Sequence, residues 1–153
     1  MDIKVSAILP SYNVVDYIGQ CIRSVLDQSL EETELLCIDA GSTDGTWEKL
    51  EMIARDNPKI RLYKSEVKSY GYQMNLGIRE AKGEYIAIIE TDDYIDFDMF
   101  ELLYKVASKS NADVSKALHY ELYEYAEKYL ISKGAKKTDA NFNARKNDLA
   151  NDI

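Results

Sequence analysis

Residues 34–46 read ELLCIDAGSTDGT, and this stretch decides the fold because a strand, a turn and the start of a helix meet within it. The short apolar run at its beginning predicts a buried strand. Its last eight residues include two glycines and predict a tight turn, in which Ser42 or Thr43 caps the next helix. A helical pattern follows over 46–55. Asp39 stands at the last position of the strand, and helix capping does not explain it.

The same strand–turn–helix pattern recurs along the chain. Apolar runs predict three more strands, at 3–9, 60–64 and 84–89. Helical spacing predicts three more helices, at 14–28, 71–82 and 97–109, with Gly83 as the C′ residue of the second. The segment 112–124 fits either a further strand or the start of a long helix. This alternation predicts an α/β fold with a mostly parallel sheet flanked by helices.

Polar residues collect at the exits of the predicted strands. The four exits are PSYN (10–13), DAGSTDGT (39–46), KSEVKSYGYQ (64–73) and ETDDYID (90–96). All four carry small, hydroxyl, amide or acidic residues, whereas the helix-to-strand returns read as plain turns. Because ligands of parallel sheets bind outside the carboxyl ends of the strands, we expect any chemistry to lie along this one edge.

The last of these exits combines burial with charge. Residues 85–96, YIAIIETDDYID, break from an apolar run into four acids: Glu90, Asp92, Asp93 and Asp96. Such a cluster fits a helix N-cap, a solvated turn or a divalent metal ion, whose preferred protein ligands include carboxylate oxygens. Of the four, Asp96 is the one that suits a cap before the following helix.

Bulk composition narrows the class of protein. The chain has 153 residues, enough for one hydrophobic core, and a net charge of −8 that argues against a nucleic-acid partner. No apolar stretch approaches the roughly 20 residues of a membrane span, and the N-terminus lacks a secretory signal. Cys21 and Cys37 are expected to be reduced packing residues. We therefore expect a cytoplasmic protein, either free or peripheral to the inner face of the membrane.

Three segments together carry a family resemblance. VSAILPSYNVVDYIGQCIRSVLDQS, ELLCIDAGSTDGT and NLGIREAKGEYIAIIETDDYI follow one another in the order and spacing of the family-2 glycosyltransferases, which have the GT-A fold. The resemblance covers residues 3–108. By contrast, the chain has neither the Gly-Lys-Ser/Thr ending of a P-loop nor a GxGxxG motif.

The resemblance implies a division of the chain and a reaction. Residues 1–110 would form the N-terminal, donor-binding part of a GT-A domain, truncated before its acceptor half. Residues 111–153 would be a partial acceptor-side segment or a helical or loose tail. The intact enzyme would transfer a sugar from a UDP-linked donor to an acceptor hydroxyl with inversion, assisted by Mg or Mn, in cell-surface polysaccharide or glycoconjugate synthesis. The alternative is a non-catalytic module that binds nucleotide-sugars.

The resemblance also implies roles for single residues. Donor binding falls to Pro10, Ser11, Tyr12, Asp39, Lys64, Gln73, Asn75 and Asp92. Tyr12 would flank the base, Asp39 would hydrogen-bond the base or ribose, and segment 64–73 would cover the nucleotide. Asp92 and Asp93 would serve the ribose and hold a metal ion that bridges the diphosphate.

The chain departs from the family pattern at three points. Ala40 stands where the family has a second acid, and Met74 stands where it has an arginine that could meet the diphosphate. An inverting transferase needs a general base to deprotonate the acceptor. None is identified, because the candidates Asp139, Asp148 and Asp152 lie in a polar tail.

Lone His119 is expected to be structural or solvated. The tyrosines at 120–129 are expected to pack against the sheet, and the alternative is that they form an aromatic platform for a sugar ring.

Overall fold

A computed structural model describes residues 2–117 of the chain. Within this range the elements in chain order are β1 (Val5–Ser11), α1 (Ile18–Leu26), β2 (Thr33–Asp39), α2 (Thr46–Ala54), β3 (Ile60–Lys64), α3 (Tyr70–Glu80), β4 (Tyr85–Ile88) and α4 (Met99–Ser110). Every strand and helix predicted before residue 110 is present, and the α/β prediction is confirmed. The largest shift is in the first helix, which begins at Ile18 and not at residue 14.

The four strands form one parallel sheet in the order β3-β2-β1-β4. In the register of the central pair, Ser11 lies opposite Asp39. On the other side of β2, Asp39 lies opposite Lys64. Three residues predicted to bind the donor therefore occupy one row at the carboxyl edge of the sheet.

Both faces of the sheet are covered, which explains the nearly continuous apolar runs in its central strands. One face packs against the apolar sides of α1, α2 and α4, including Ile22, Leu50 and Phe100. The other face packs against α3, with Ile8 and Ile38 in its core. Cys21 and Cys37 are buried and free, as expected of packing residues.

Helix α3 lies unusually close to the sheet at Gly77. A Cβ at this position would lie 2.5 Å from Ile8 Cγ2 and 2.9 Å from Ile38 Cδ1. Gly83 also leaves no room for a side chain, since a Cβ there would lie 2.6 Å from the backbone N of Ser6. The sequence-based role of Gly83 as a helix C′ residue is wrong, because α3 ends at Glu80.

Two predicted caps are also wrong. The N-cap of α2 is Gly45, in the left-handed region with φ of 98°, and not Ser42 or Thr43. Asp44 does the capping from one position earlier, because its Oδ1 accepts hydrogen bonds from the Thr46 N–H at 3.0 Å and the Thr46 hydroxyl at 2.6 Å.

The N-cap position of α4 is Asp98, so Asp96 is not that cap either. The ambiguous segment 112–124 lies partly within the described range, where 112–117 form neither helix nor strand. His119 and the tyrosines at 120–129 lie outside the described residues. The chain divides after Ser115, and the division predicted at residue 110 stays a prediction. Within residues 2–117 no helix is long and apolar enough to cross a membrane.

A buried carboxylate at the amino end of the sheet is fully partnered. Glu34 accepts hydrogen bonds from the Ser6 hydroxyl at 2.7 Å, the Lys82 N–H at 2.7 Å and the Arg61 guanidinium at 3.0 Å. Burial opposes ionisation of Glu34, but these hydrogen bonds outweigh burial, so the pKa of Glu34 lies below its usual value. The network joins β1, β2 and β3 to the chain that leaves α3.

We expect Gly77→Ala to lower the free energy of unfolding by about 1–3 kcal/mol, although alanine is the better helix former. The added methyl would meet Ile8 and Ile38, which are fully buried and cannot withdraw cheaply. Urea denaturation followed by circular dichroism measures the change. Gly71→Ala is the matched control on the same helix, because nothing lies within 4 Å of its Cβ position. Equal effects of the two substitutions would contradict the close approach.

We expect Glu34→Gln to lower the free energy of unfolding at pH 7 by about 2 kcal/mol. A lowered pKa in the folded state stabilises the fold above the ordinary pKa of glutamate, and this stability is lost as the pH falls through the folded-state pKa. The substitution should therefore also reduce the loss of stability between about pH 5 and pH 3. Exposed Glu31 supplies the control Glu31→Gln. An unchanged pH profile in Glu34→Gln would refute the role of the network.

Candidate functional site

Gln73 forms hydrogen bonds with the ends of both central strands, β1 and β2. Its Nε2 donates hydrogen bonds to the carbonyl oxygens of Ser11 at 2.9 Å and Ile38 at 2.6 Å. Gln73 is 4% exposed, so its side chain belongs to the interior of the protein. It fixes the spacing of the β1 and β2 exits, and its predicted contact with a donor stays a prediction.

Asp39 shapes the turn that follows β2. Its Oδ2 accepts hydrogen bonds from the N–H groups of Gly41 and Ser42, both at 2.9 Å. Its Oδ1 accepts the Ser42 hydroxyl at 2.5 Å. Gly41 has φ of 77°, a conformation that glycine adopts without strain. A carboxylate has about four acceptor sites, so three of them already stabilise this turn.

The turn is joined to the exit of β1 through Asn13. The Asn13 N–H donates to the Ser42 hydroxyl at 2.9 Å, and the Thr43 N–H donates to Asn13 Oδ1 at 2.9 Å. Asn13 itself has φ of 52°. The residue therefore orients two strand exits, a role that its place in PSYN did not reveal.

Tyr12 and Lys68 meet on the exposed side of this turn. Tyr12 is 45% exposed. The Lys68 Nζ lies 4.7 Å from the centroid of the Tyr12 ring and donates a hydrogen bond to the Tyr12 hydroxyl at 3.0 Å. Lys68 Cε lies 4.0 Å from the position that a Cβ would take on Gly41. The side chain of Lys68 therefore lies between the Tyr12 ring and the glycine turn.

The first residue of α3 reaches the exit of β4. The Tyr70 hydroxyl donates to Glu90 Oε1 at 2.5 Å. This hydrogen bond, together with burial and the negative charge of Glu90, raises the pKa of Tyr70 to about 12. With the Lys68 contact, segment 64–73 thus spans the exits of β1 and β4, and its place over a nucleotide stays a prediction.

The acids after β4 lie near Cys21 of α1. Asp92 and Asp93 are exposed, and the Asp93 N–H donates to the Glu90 carbonyl in a turn at 3.0 Å. Burial is the main cause of the raised pKa of the Cys21 thiol, which reaches about 12, and the charges of Asp93 and Asp92 add to it. The Cys21 thiol also lies 3.5 Å from the Glu90 carbonyl oxygen.

The remaining predicted residues contribute less to this geometry. Pro10 lies in β1, and its carbonyl accepts a hydrogen bond from the buried Thr91 hydroxyl at 3.1 Å. The Lys64 ammonium lies 4.3 Å from the Trp47 ring centroid. Asn75 is exposed on α3 and makes no side-chain hydrogen bond within residues 2–117.

The sequence does not predict two hydrogen bonds between exposed side chains, those of Lys68 and Tyr70. Lys68 and Tyr70 fall in segment 64–73, which the sequence places near a nucleotide without indicating which side chains they contact. Their partners, Tyr12 and Glu90, lie 56 and 20 residues away along the chain. The pattern carried no sign of this pairing, because the contacts depend on the order of the strands in the sheet.

Comparison with known proteins identifies the class. The sequence matches the family described as Glycosyl transferase family 2 over residues 6–147. The chain belongs to this family. Over 121 residues it is 33% identical to the glycosyltransferase GlyG of Streptococcus pneumoniae serotype 4, a match that covers 78% of this chain and 40% of GlyG.

Solved structures place the fold within the same class. The chain resembles S. aureus TarS, residues 1–349, in complex with UDP, with a TM-score of 0.66, 26% identity, and coverage of 71% of this chain and 33% of that one. It also resembles the mannosyltransferase PcManGT from Pyrobaculum calidifontis in complex with GDP-Man and Mn²⁺, with a TM-score of 0.56, 25% identity, and coverage of 60% and 28%. The GT-A fold predicted from the sequence is confirmed. This chain spans well under half of each of these proteins.

We expect the phenol of Tyr70 to ionise near pH 12, and Glu90→Gln to lower its pKa toward the ordinary value of about 10. The direction follows because Glu90 accepts a hydrogen bond from the neutral phenol and its negative charge repels a phenolate. Nuclear magnetic resonance of ¹³C-tyrosine across a pH titration measures the pKa, with Tyr70→Phe assigning the signal. Glu66→Gln, in the loop that precedes α3, is the control. A Tyr70 pKa unaffected by Glu90→Gln would show that the hydrogen bond is absent in solution.

Proposed function

We propose that this chain binds the donor of a sugar-transfer reaction, a nucleotide-sugar linked to UDP. One observation carries the proposal: the exposed ring of Tyr12, the Asp39 turn and the acids after β4 lie along one edge of a parallel sheet, bridged by segment 64–73. An aromatic face suits a nucleobase, and polar turns and acids suit a ribose and a metal-bound diphosphate. That TarS has been crystallised with UDP and with UDP-GlcNAc supports the choice of a uridine nucleotide.

The acids at the β4 exit fit a divalent cation. Mg²⁺ is usually held in proteins by one or two carboxylates, with phosphate oxygens and water completing its shell. Asp92 and Asp93 are exposed neighbours and supply such a pair. Within residues 2–117 no three His, Cys, Asp or Glu side chains converge on a metal position, so the diphosphate would have to supply the remaining ligands. Bound there, Mg²⁺ or Mn²⁺ would offset the charge that develops on the leaving diphosphate.

The residues of this chain have separate tasks in that arrangement. Tyr12 provides the stacking surface, and the Asp39 turn holds the backbone N–H groups beside it in place. Gln73 and Asn13 keep the two strand exits at a constant spacing. Transfer with inversion to an acceptor hydroxyl, in polysaccharide or glycoconjugate synthesis, is the reaction we propose for the intact enzyme. Cys21 and Cys37 are free thiols, which fits the proposed cytoplasmic location.

A second function rests on the missing general base. No residue of the described range is assigned to deprotonate an acceptor, so a module that binds the donor without transferring its sugar is the alternative. Incubation with UDP-GlcNAc and Mn²⁺, followed by measurement of released UDP, separates the two. Turnover with an acceptor saccharide supports transfer by this chain, whereas tight binding without release of UDP supports the binding module.

We expect Asp93→Asn to weaken UDP binding in the presence of Mn²⁺ by about tenfold or more, because one carboxylate ligand is lost. Isothermal titration calorimetry measures the affinity. Asp56→Asn is the matched control, since Asp56 is exposed beyond the end of α2. UDP that binds equally well with a chelator present, or to Asp93→Asn, would contradict the metal site. A wild-type chain that binds no uridine nucleotide at all would contradict the proposed function.

A further inference from the structure

Among residues 2–117, Lys68 is a cation without an acidic partner. Within residues 2–117 the ion pairs join other residues. The Lys68 side chain lies against the ring and hydroxyl of Tyr12, close to Gly41. The side chain is exposed. A cation over an exposed aromatic ring is held weakly, so this arrangement is easily displaced.

The position of Lys68 coincides with the place of the nucleobase in the proposed function. Its ammonium lies at the hydroxyl end of Tyr12, and its Cε lies 4.0 Å from the position of a Cβ on Gly41, so it lies between Tyr12 and the turn. A base that stacks on this side of Tyr12 and extends past its hydroxyl would take that space. Stacking of a base on an aromatic ring is generally stronger than an exposed cation–π contact, so the base displaces the ammonium.

The displaced ammonium has one favourable destination nearby. Lys68 is two residues from Tyr70, which is hydrogen-bonded to Glu90 at the acidic exit of β4. A diphosphate held at that exit would stand among Glu90, Asp92 and Asp93, where repulsion makes an added cation valuable. Met74, on the same side of the sheet, is buried and supplies no charge.

We propose that Lys68 is a donor-positioning residue that exchanges partners, contacting Tyr12 in the free protein and the diphosphate in the donor complex. The inference rests on the proposed function and adds to it a side chain that distinguishes nucleotide from nucleoside. In the free protein Lys68 competes with the base, so a ligand without phosphate gains nothing from displacing it. A nucleoside diphosphate recovers the lost contact as a charge-assisted one.

The test compares uridine with UDP, each titrated into the full chain in Mn²⁺ buffer. We expect Lys68→Ala to weaken UDP binding by about tenfold and to leave uridine binding unchanged or strengthened by up to about fivefold. Lys68→Arg should bind UDP within about threefold of the wild type, because the charge is retained. Lys109→Ala, exposed on α4, is the matched control and should alter neither affinity.

The two ligands separate the possible outcomes. Equal losses of uridine and UDP affinity in Lys68→Ala would mean that Lys68 contacts the nucleoside, and would overturn the exchange. Unchanged affinities for both would overturn it as well. A wild-type chain that binds neither ligand would instead remove the proposed function on which the exchange rests. Thermal melting of each variant verifies that the fold is intact, which the exposure of Lys68 leads us to expect.

Discussion

The parallel pairing of β1 with β2 is the constraint on which the rest of the structure depends. Its register sets Ser11 opposite Asp39, and the buried amide of Gln73 donates to carbonyls on both strands at their exits. Because both strands end at the same level, the turns that follow them can exchange hydrogen bonds through Asn13. A slip of one residue would turn every buried side chain of β1 to the opposite face, so the apolar faces and the polar edge are specified together.

Two groups of acids stand in opposite surroundings, Glu34 in β2 and the pair Asp92 and Asp93 after β4. At the amino end Glu34 is buried and accepts hydrogen bonds from three donors, so its charge stabilises the fold. At the carboxyl end Asp92 and Asp93 are exposed side by side after β4. Neighbouring carboxylates repel one another unless a cation lies between them. This contrast is the physical reason for assigning Glu34 a structural role and for proposing a ligand site at Asp92 and Asp93.

Segment 64–73 contacts two of the strand exits at the carboxyl edge of the sheet. Through Lys68 it contacts the aromatic ring at the β1 exit, and through Tyr70 it contacts the acid at the β4 exit. Both contacts are exposed polar ones and contribute little to stability, which suits a segment that changes partners when a ligand arrives. These contacts support the proposed donor site, and no residue within 2–117 is assigned to activate an acceptor.

The sequence alone predicted the class of fold and the sheet edge on which we propose the site, because burial leaves a periodic pattern in the sequence and parallel strands share one direction. It also located the residues at the exits, from Tyr12 to Asp92. It misplaced the caps at Ser42, Thr43 and Asp96 and the reason for Gly83, because several hydroxyls and acids near a helix start can serve equally well on local grounds. Only the tertiary structure decided which of them do, and which distant side chains meet. Lys68 reaches Tyr12 across 56 residues because β3 and β1 stand on either side of β2, and no local pattern records that order.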